Sequence, residues 1–330
     1  MESEKKNLRL LFLYDIFNRQ TDENHIYTAV ELCGLLAGYG ISCERKALYR
    51  DIASLKEYGL DIVITGKPKR GYYLRSRKFD TSELRLLIDA VQAARFISVK
   101  KSKALIYKIG SLTSEYREEA LREQIYVDSS FKTDNEDIFK TISVLDGAIK
   151  KCKKVNVVYA KRVIDKCTLK LGESKLFTVN PYALIWSSDH YYLICNNDKY
   201  DNLMHLRLDR IMDVTELDEK ARHFSEVSDY TDKFDTADYS NKVFNMFSGD
   251  TTEIELRCTN TMIEDIIERF GENASMISDG DGFILKSEVE LSDGLVSWIL
   301  QYGADIKVLS PTELKTAVKT KLTEILSLYE

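Results

Sequence analysis

The chain is poor in the residues that build metal sites and covalent frameworks. Its 330 residues include six cysteines and four histidines. The cysteines, at positions 33, 43, 152, 167, 195 and 258, are scattered without a CxxC pair. That distribution excludes a zinc framework and a disulfide scaffold, and it leaves the thiols as small buried or half-buried side chains. No apolar run approaches the roughly 18 residues of a membrane span, and the charged start MESEKK lacks the apolar core of a signal peptide. A cytoplasmic location with no membrane partner is therefore expected. There is no GxxxxGK[ST] phosphate loop, no HExxH and no GxSxG. No catalytic residue, metal ligand or cofactor is assigned, and neither internal repeats nor low-complexity segments occur.

What is present is a globular composition, 44% hydrophobic and 30% charged, long enough for two or three domains with real cores. The net charge of −6 hides an asymmetry: residues 1–78 hold fourteen Lys/Arg against ten Asp/Glu, the remainder thirty-three against forty-three. From Ser42 to Lys78 the count is ten basic to four acidic. A local positive potential of this kind attracts a polyanion whatever the overall charge.

The basic segment centres on SCERKALYRDIASLKEYGL, residues 42–60. At helical periodicity Leu48, Ile52 and Leu55 fall on one narrow side, while Arg45, Lys46, Tyr49, Arg50 and Ala53 fan across the other. Ser42 suits the N-cap, Glu44 the positive end of the dipole and Gly59 the stop. Upstream, Leu8, Leu11, Phe12 and Ile16 predict a first helix. Thr28 then caps a second carrying Val30, Leu32, Leu35 and Leu36, which Gly38 and Gly40 break. Downstream, DIVITGKPKRGYYL reads as a hairpin whose turn is Gly-Lys-Pro-Lys-Arg-Gly. Three helices and a basic-tipped hairpin make a winged helix-turn-helix over residues 1–78. Double-stranded DNA is the partner this implies, contacted by Ser42, Arg45, Lys46, Tyr49 and Arg50 on the third helix and by Lys67, Lys69 and Arg70 on the hairpin. Arg45 and Lys46 are assigned to base edges.

Residues 79–150 read as a helical linker. It opens with Asp80 and Glu83 in a capping-box pattern before the stripe Leu84, Leu87, Ile88 and Val91. Further helices are expected around Lys101 to Leu112 and Asp134 to Lys150, separated by the polar stretches REEALREQ and SSFKTDNED. From Val155 the period becomes alternating. VNVVYA, CTLKL, KLFTVNPYALIWSS, HYYLICN and LMHLRLDRIMDVTEL predict five short antiparallel strands over residues 151–220, a compact sheet or small barrel. Tyr159 and Trp186 are read as core. Residues 221–247 read as a polar and aromatic connector with one helix. Residues 248–330 alternate strand, helix, strand, strand, helix, strand and a Pro311-initiated helix, an α/β sandwich. The fold class is thus multidomain α+β.

With these residues in view the chain resembles the WYL-domain transcriptional regulators along nearly its whole length. RKALYRDIASLKEYGLDI and GYYL resemble that family's winged helix; NPYALI, HYYLI and LRLDRI resemble its WYL domain, an Sm-like small barrel; SWILQYGADIKVLSPTEL resembles its C-terminal WCX extension. The eponymous triplet reads here as Tyr191, Tyr192 and Leu193, and Ala47 stands where such recognition helices often carry Thr. The resemblance implies a homodimer, formed through the C-terminal domain, whose WYL domain senses an anionic effector, a nucleotide or a single-stranded nucleic acid. Tyr182, Tyr192 and His205 would stack a base, and Arg207 and Arg210 would anchor its phosphate. In the alternative reading Asp209 pairs with Arg207 or Arg210 to fix a turn, and the tyrosines are sheet-core aromatics. Two rival functions are an accessory nucleic-acid-binding factor without promoter specificity and a nucleotide-acting enzyme. No catalytic constellation supports the enzyme, Asp279 and Asp281 lying in a Gly turn.

Overall fold

The computed structural model describes residues 2–123, 132–165 and 168–330, and the chain divides into two compact units, 1–136 and 137–330. Cys167, with it part of the expected CTLKL strand, and portions of the two polar stretches lie outside the described residues.

The first unit begins with α1 (Glu2–Gln20), α2 (Ala29–Gly38) and α3 (Arg45–Glu57), followed by β1 (Ile62–Ile64) and β2 (Tyr72–Leu74). The strands pair antiparallel with Ile62 opposite Leu74. Thr28 and Glu31 form a reciprocal capping box that starts α2, and Gly40, at φ +74°, turns the chain after it. The core holds Leu13, Ile16, Phe17, Leu32, Leu36, Leu48, Ile52, Leu55, Ile62 and Leu74. Ile16, Leu32 and Leu36 are buried as the periodicity predicts. Leu8, Leu11 and Val30 are exposed instead, because α1 rolls Leu13 and Phe17 inward. Arg77 closes the C-terminal end of α1, its guanidinium donating to the carbonyls of Phe17, Asn18 and Thr21, carbonyls that a helix end leaves without partners.

Three more helices complete this unit: α4 (Thr81–Ala93), α5 (Val99–Gly110) and α6 (Glu115–Arg122). The Asp80–Glu83 capping box is present, and Leu84 and Ile88 pack with Ile106 and Leu121. Leu87 is exposed. The stretch REEALREQ, read from the sequence as a polar separator, contains most of α6; Ser114 caps it, and Glu118 is buried because Arg19 and Arg122 both reach it. Asp22 accepts from the Ser114 hydroxyl at 2.8 Å, and His25 stacks on Tyr116. These polar ties fasten α6 to the loop after α1.

The second unit opens with α7 (Ile138–Lys150), whose Ile138, Leu145 and Ala148 are fully buried. Sequence reading places this helix at the end of a linker; its apolar side packs instead on a five-stranded antiparallel sheet. The strands are β3 (Lys153–Asp165), β4 (Thr168–Ser187), β5 (His190–Asn196), β6 (Leu203–Arg207) and β7 (Ile211–Lys220), in the order β6-β5-β4-β3-β7. Two expected strands merge into β4, and the last expected strand is cut by a 3-10 turn at Leu208–Arg210. No ladder joins β6 to β7 among the described residues, so of the two expected forms the strands make the compact antiparallel sheet and not a closed small barrel. Tyr159 is buried, whereas Trp186 sits beside the β4–β5 turn and is 48% exposed, not core.

The stretch 221–247, expected as a connector with one helix, does carry one, α8 (Thr236–Lys242), but it also folds over the sheet. Val227, Phe234, Tyr239, Val243 and Met246 bury themselves against Tyr182, Ile185, Ile194 and Leu203. The final part comprises β8 (Asp250–Thr259), α9 (Ile263–Phe270), β9 (Ser275–Asp279), β10 (Gly282–Leu291), α10 (Asp293–Gln301), β11 (Ile306–Ser310) and α11 (Thr312–Leu326), with sheet order β11-β8-β10-β9. That is a β-α-β-β-α-β pattern. Ile254, Leu256 and Cys258 alternate along β8 onto the face that receives Ile266, Leu295, Ile299 and Leu314 from the helices. Glu290 of β10 is buried, its carboxylate accepting the Gly249 N–H at 2.9 Å. The Asp279 and Asp281 side chains both hold Arg257.

Candidate functional site

Two groups of residues singled out by the sequence are placed in separate units. The first lies on α3. Leu48, Ile52 and Leu55 anchor the helix in the core, each buried side chain contributing roughly 1.5–3 kcal/mol. The opposite side presents Arg45, Lys46, Tyr49 and Arg50 to solvent. None of the three cations has an acidic partner within ion-pair distance among the described residues. Ser42 does not cap the helix. Ile41 and Cys43 pack against the core and keep this segment extended, so α3 starts two residues later with Glu44 at the cap position and no side-chain cap bond. The free first-turn amides of α3 therefore coincide with Arg45 and Lys46, and the dipole adds to their positive potential.

The hairpin flanks this helix. Tyr27 exchanges two backbone hydrogen bonds with Tyr72, fixing the base of the hairpin beside α2. Between α3 and the hairpin runs a cleft of ≈ 620 Å³ lined by Tyr49, Lys56, Ile64, Arg70 and Tyr72. Lys67 and Arg70 are exposed without acidic partners among the described residues. Lys69 differs: its ammonium donates to the Ile26 carbonyl and to Glu31, each at 3.0 Å.

Sequence reasoning missed the contact that sets the pose of α3. Asp51 is buried between the core leucines, and Arg9 of α1 grips it through Nε at 2.5 Å and Nη2 at 3.2 Å. The signal was available, since positions 48, 51, 52 and 55 share one face and a carboxylate among three apolar side chains requires a cation.

The second group lies on the five-stranded sheet, where Tyr192 packs against the same cluster as Tyr182 and shares a sheet face with Arg207 and His205. Tyr192 faces Arg207 across the β5–β6 pairing, with Asp209, Arg210 and Tyr159 close enough to act on its hydroxyl electrostatically. Arg207 donates to Asp209 through Nε at 3.0 Å and Nη2 at 2.7 Å, bracing the 3-10 turn. The Arg210 Nε is buried without a hydrogen-bond partner among the described residues. Tyr182 and His205 are roofed by residues 224–246, and Tyr192 packs at the border of that cover. Tyr182 meets Phe224 edge to face, and His205 stacks on Tyr239 and shares a 2.7 Å hydrogen bond with its hydroxyl. Burial lowers the His205 pKa to about 4, so its imidazole is neutral at physiological pH. Tyr239 is thus the ring stacked beside His205 within this structure. Among the described residues no group of His, Cys, Asp or Glu side chains could hold a metal ion, and no helix is long and apolar enough to cross a membrane.

Positive charge is thus concentrated in two places, on the exposed side of α3 with its hairpin and at the end of the five-stranded sheet that carries Arg207 and Arg210. Comparison with known proteins adds the following. Residues 140–216 match the WYL domain and residues 250–326 match the WCX domain. The resemblance to the WYL-domain regulator family is therefore borne out, and the chain carries both of that family's C-terminal domains. It is 23% identical over 297 residues, 86% of this chain and 90% of the relative, to an uncharacterized HTH-type transcriptional regulator, YobV, of Bacillus subtilis (strain 168). Among solved structures it matches proteasome accessory factor B/C (PafBC) of Arthrobacter aurescens at 16% identity, covering 99% of this chain and 49% of that one. The chain spans about half the length of that structure, and the TM-score is 0.28, too low to define a shared arrangement.

Proposed function

We propose that the chain is a DNA-binding transcriptional regulator whose α3 enters the major groove while the β1–β2 hairpin lies on the adjacent backbone. The observation that carries this reading is the two-sided character of α3: one side is locked into the core, and the other offers Arg45, Lys46 and Arg50 with no acidic partner among the described residues. Guanidinium and ammonium groups so placed can meet guanine edges and phosphates. Two copies of the chain would present two such helices to half-sites about one helical turn apart. The effector is a nucleotide or single-stranded nucleic acid held by Tyr192, Arg207 and Arg210, where the unpartnered Nε of Arg210 awaits an acceptor. Similarity to an HTH-type regulator supports the same reading. The test is operator binding, with the operator first selected from genomic fragments. Replacing Arg45 and Arg50 by alanine should weaken specific binding at least ~30-fold, at about 1–3 kcal/mol per base contact, with the salt slope reduced by about one per phosphate contact. A gel shift unchanged by the double substitution would refute the assignment.

A further inference from the structure

A cleft of ≈ 760 Å³ opens in the second unit where the covering stretch 221–247 meets the start of β8 and the end of β10. That size falls within the about 300–1,000 Å³ of small-molecule sites. Asp229, Tyr230, Tyr239, Lys242, Asp250 and Glu290 line it. The two tyrosines and the lysine are committed elsewhere. The Tyr230 hydroxyl donates to Asp238 at 2.6 Å, the Tyr239 hydroxyl shares its hydrogen bond with His205, and the Lys242 ammonium lies 3.1 Å from Asp238 and 3.5 Å from Glu288.

The three carboxylates are not so committed. Asp229 and Asp250 are exposed and have no cation within ion-pair distance among the described residues. Glu290 is only 7% exposed, yet it lines the cleft. Its Oε2 accepts the Gly249 N–H at 2.9 Å, and its Oε1 has no hydrogen-bond partner among the described residues. A carboxylate in that position has lost most of its hydration and regained one hydrogen bond. Burial first, with Asp229 and Asp250 adding to it and the Gly249 N–H and Lys242 opposing, raises its pKa from 4.5 to about 7. The Gly249 N–H does not require this charge, because an amide oxygen would accept it as well. A cation at Oε1 supplies what the carboxylate lacks.

We propose that the cleft binds a linear polyamine, one ammonium group meeting Glu290 and the others Asp229 and Asp250. Spacing selects this class. No group of three His, Cys, Asp or Glu side chains among the described residues could hold a metal ion, so the three carboxylates do not converge on one point charge. Ammonium groups separated by methylenes reach acceptors that stand apart, and the tyrosine side chains of the same cleft give the methylenes an apolar contact. The site is distinct from that of the anionic effector, since Tyr192, Arg207 and Arg210 do not line this cleft.

The test is calorimetric titration of the full chain with spermidine at about pH 8 and about 0.15 M salt, where loose surface attraction is screened. One saturating equivalent is expected. Glu290→Gln keeps an acceptor for the Gly249 N–H and should weaken binding at least ~10-fold through loss of a buried charge partner, with a ligand-free melting temperature no lower than that of wild type. Asp229→Asn combined with Asp250→Asn, at exposed positions, should weaken it similarly. Glu272→Gln removes an exposed carboxylate outside the cleft and should bind as wild type. Absence of saturable binding overturns the site, and so does an equal loss in Glu272→Gln, the mark of diffuse attraction to an acidic chain. Displacement of spermidine by magnesium chloride at equal ionic strength would make a metal the ligand and overturn the polyamine. Should Glu290→Gln fail to fold, the exposed pair decides.

Discussion

Replacing Asp51 by alanine probes the link between the α1–α3 ion pair and the pose of the basic helix. The Arg9 and Asp51 side chains are only 14% and 6% exposed. Water can therefore do little to compensate the stranded guanidinium once the carboxylate is gone. Breaking one partner of such a pair costs about 3–5 kcal/mol, a large part of the roughly 5–15 kcal/mol that holds a domain together. For a unit of this size the melting transition should fall by about 10 °C or more. Thermal melts followed by circular dichroism report that shift, and operator titration at a temperature where the variant is folded reports the helix pose. The double variant Arg9→Met with Asp51→Leu separates the two effects. It removes both charges, so most of the stability should return, while any loss of affinity that persists belongs to the lost alignment. A single variant that loses less than about 1 kcal/mol, or a double variant as unstable as the single one, would refute the reasoning.

Arg210→Ala should leave the melting temperature within a few degrees, since its buried Nε has no hydrogen-bond partner to lose, yet abolish any change in operator affinity caused by nucleotides or short single strands. Retention of the wild-type response would remove Arg210 from the effector site. Glu290 yields a pH prediction. Burial raises its pKa from 4.5 to about 7. The folded state therefore binds the extra proton between those values, and stability should fall as pH rises from about 4.5 and level off above about 7. The full shift is discounted for partial solvent access to about 2 kcal/mol. Urea melts of Glu290→Gln should lose that slope while keeping an acceptor for the Gly249 N–H, and an unchanged slope would exclude Glu290 as its source.

The legible parts of this molecule were those where local pattern and tertiary packing agree. The cap at Thr28, the capping box at Asp80, the stripe of Leu48, Ile52 and Leu55, and the β8–α11 succession could be read because each element carries its own start, period and stop. Where a long-range partner decides, reading failed. Leu8 and Leu11 share the helical period of α1, but the contacts of Leu13 and Phe17 choose which face turns inward. Ser42 is a sound cap in isolation, overruled by the burial of Ile41 and Cys43. The stretch from Phe224 to Phe247 looked like a connector because its polar residues dominate. Its aromatic spacing, Phe224, Tyr230, Phe234 and Tyr239, was the sign that it would cover something. That cover buries Tyr182 and His205, which the sequence places on the sheet, to a greater depth than Tyr192.

The Glu31 carboxylate serves two masters: one oxygen accepts the Thr28 amide at 2.6 Å and begins α2, and the other holds the Lys69 ammonium. On the DNA-binding reading, the middle cation of the wing is thus neutralised while the protein is idle, and a duplex must outbid a carboxylate to recruit it. Random tracts that fit the wing poorly win little from that exchange and let go sooner. On that same reading the tether is a filter on dwell time, one that separates a fitting site from an unfitting one without an additional base contact.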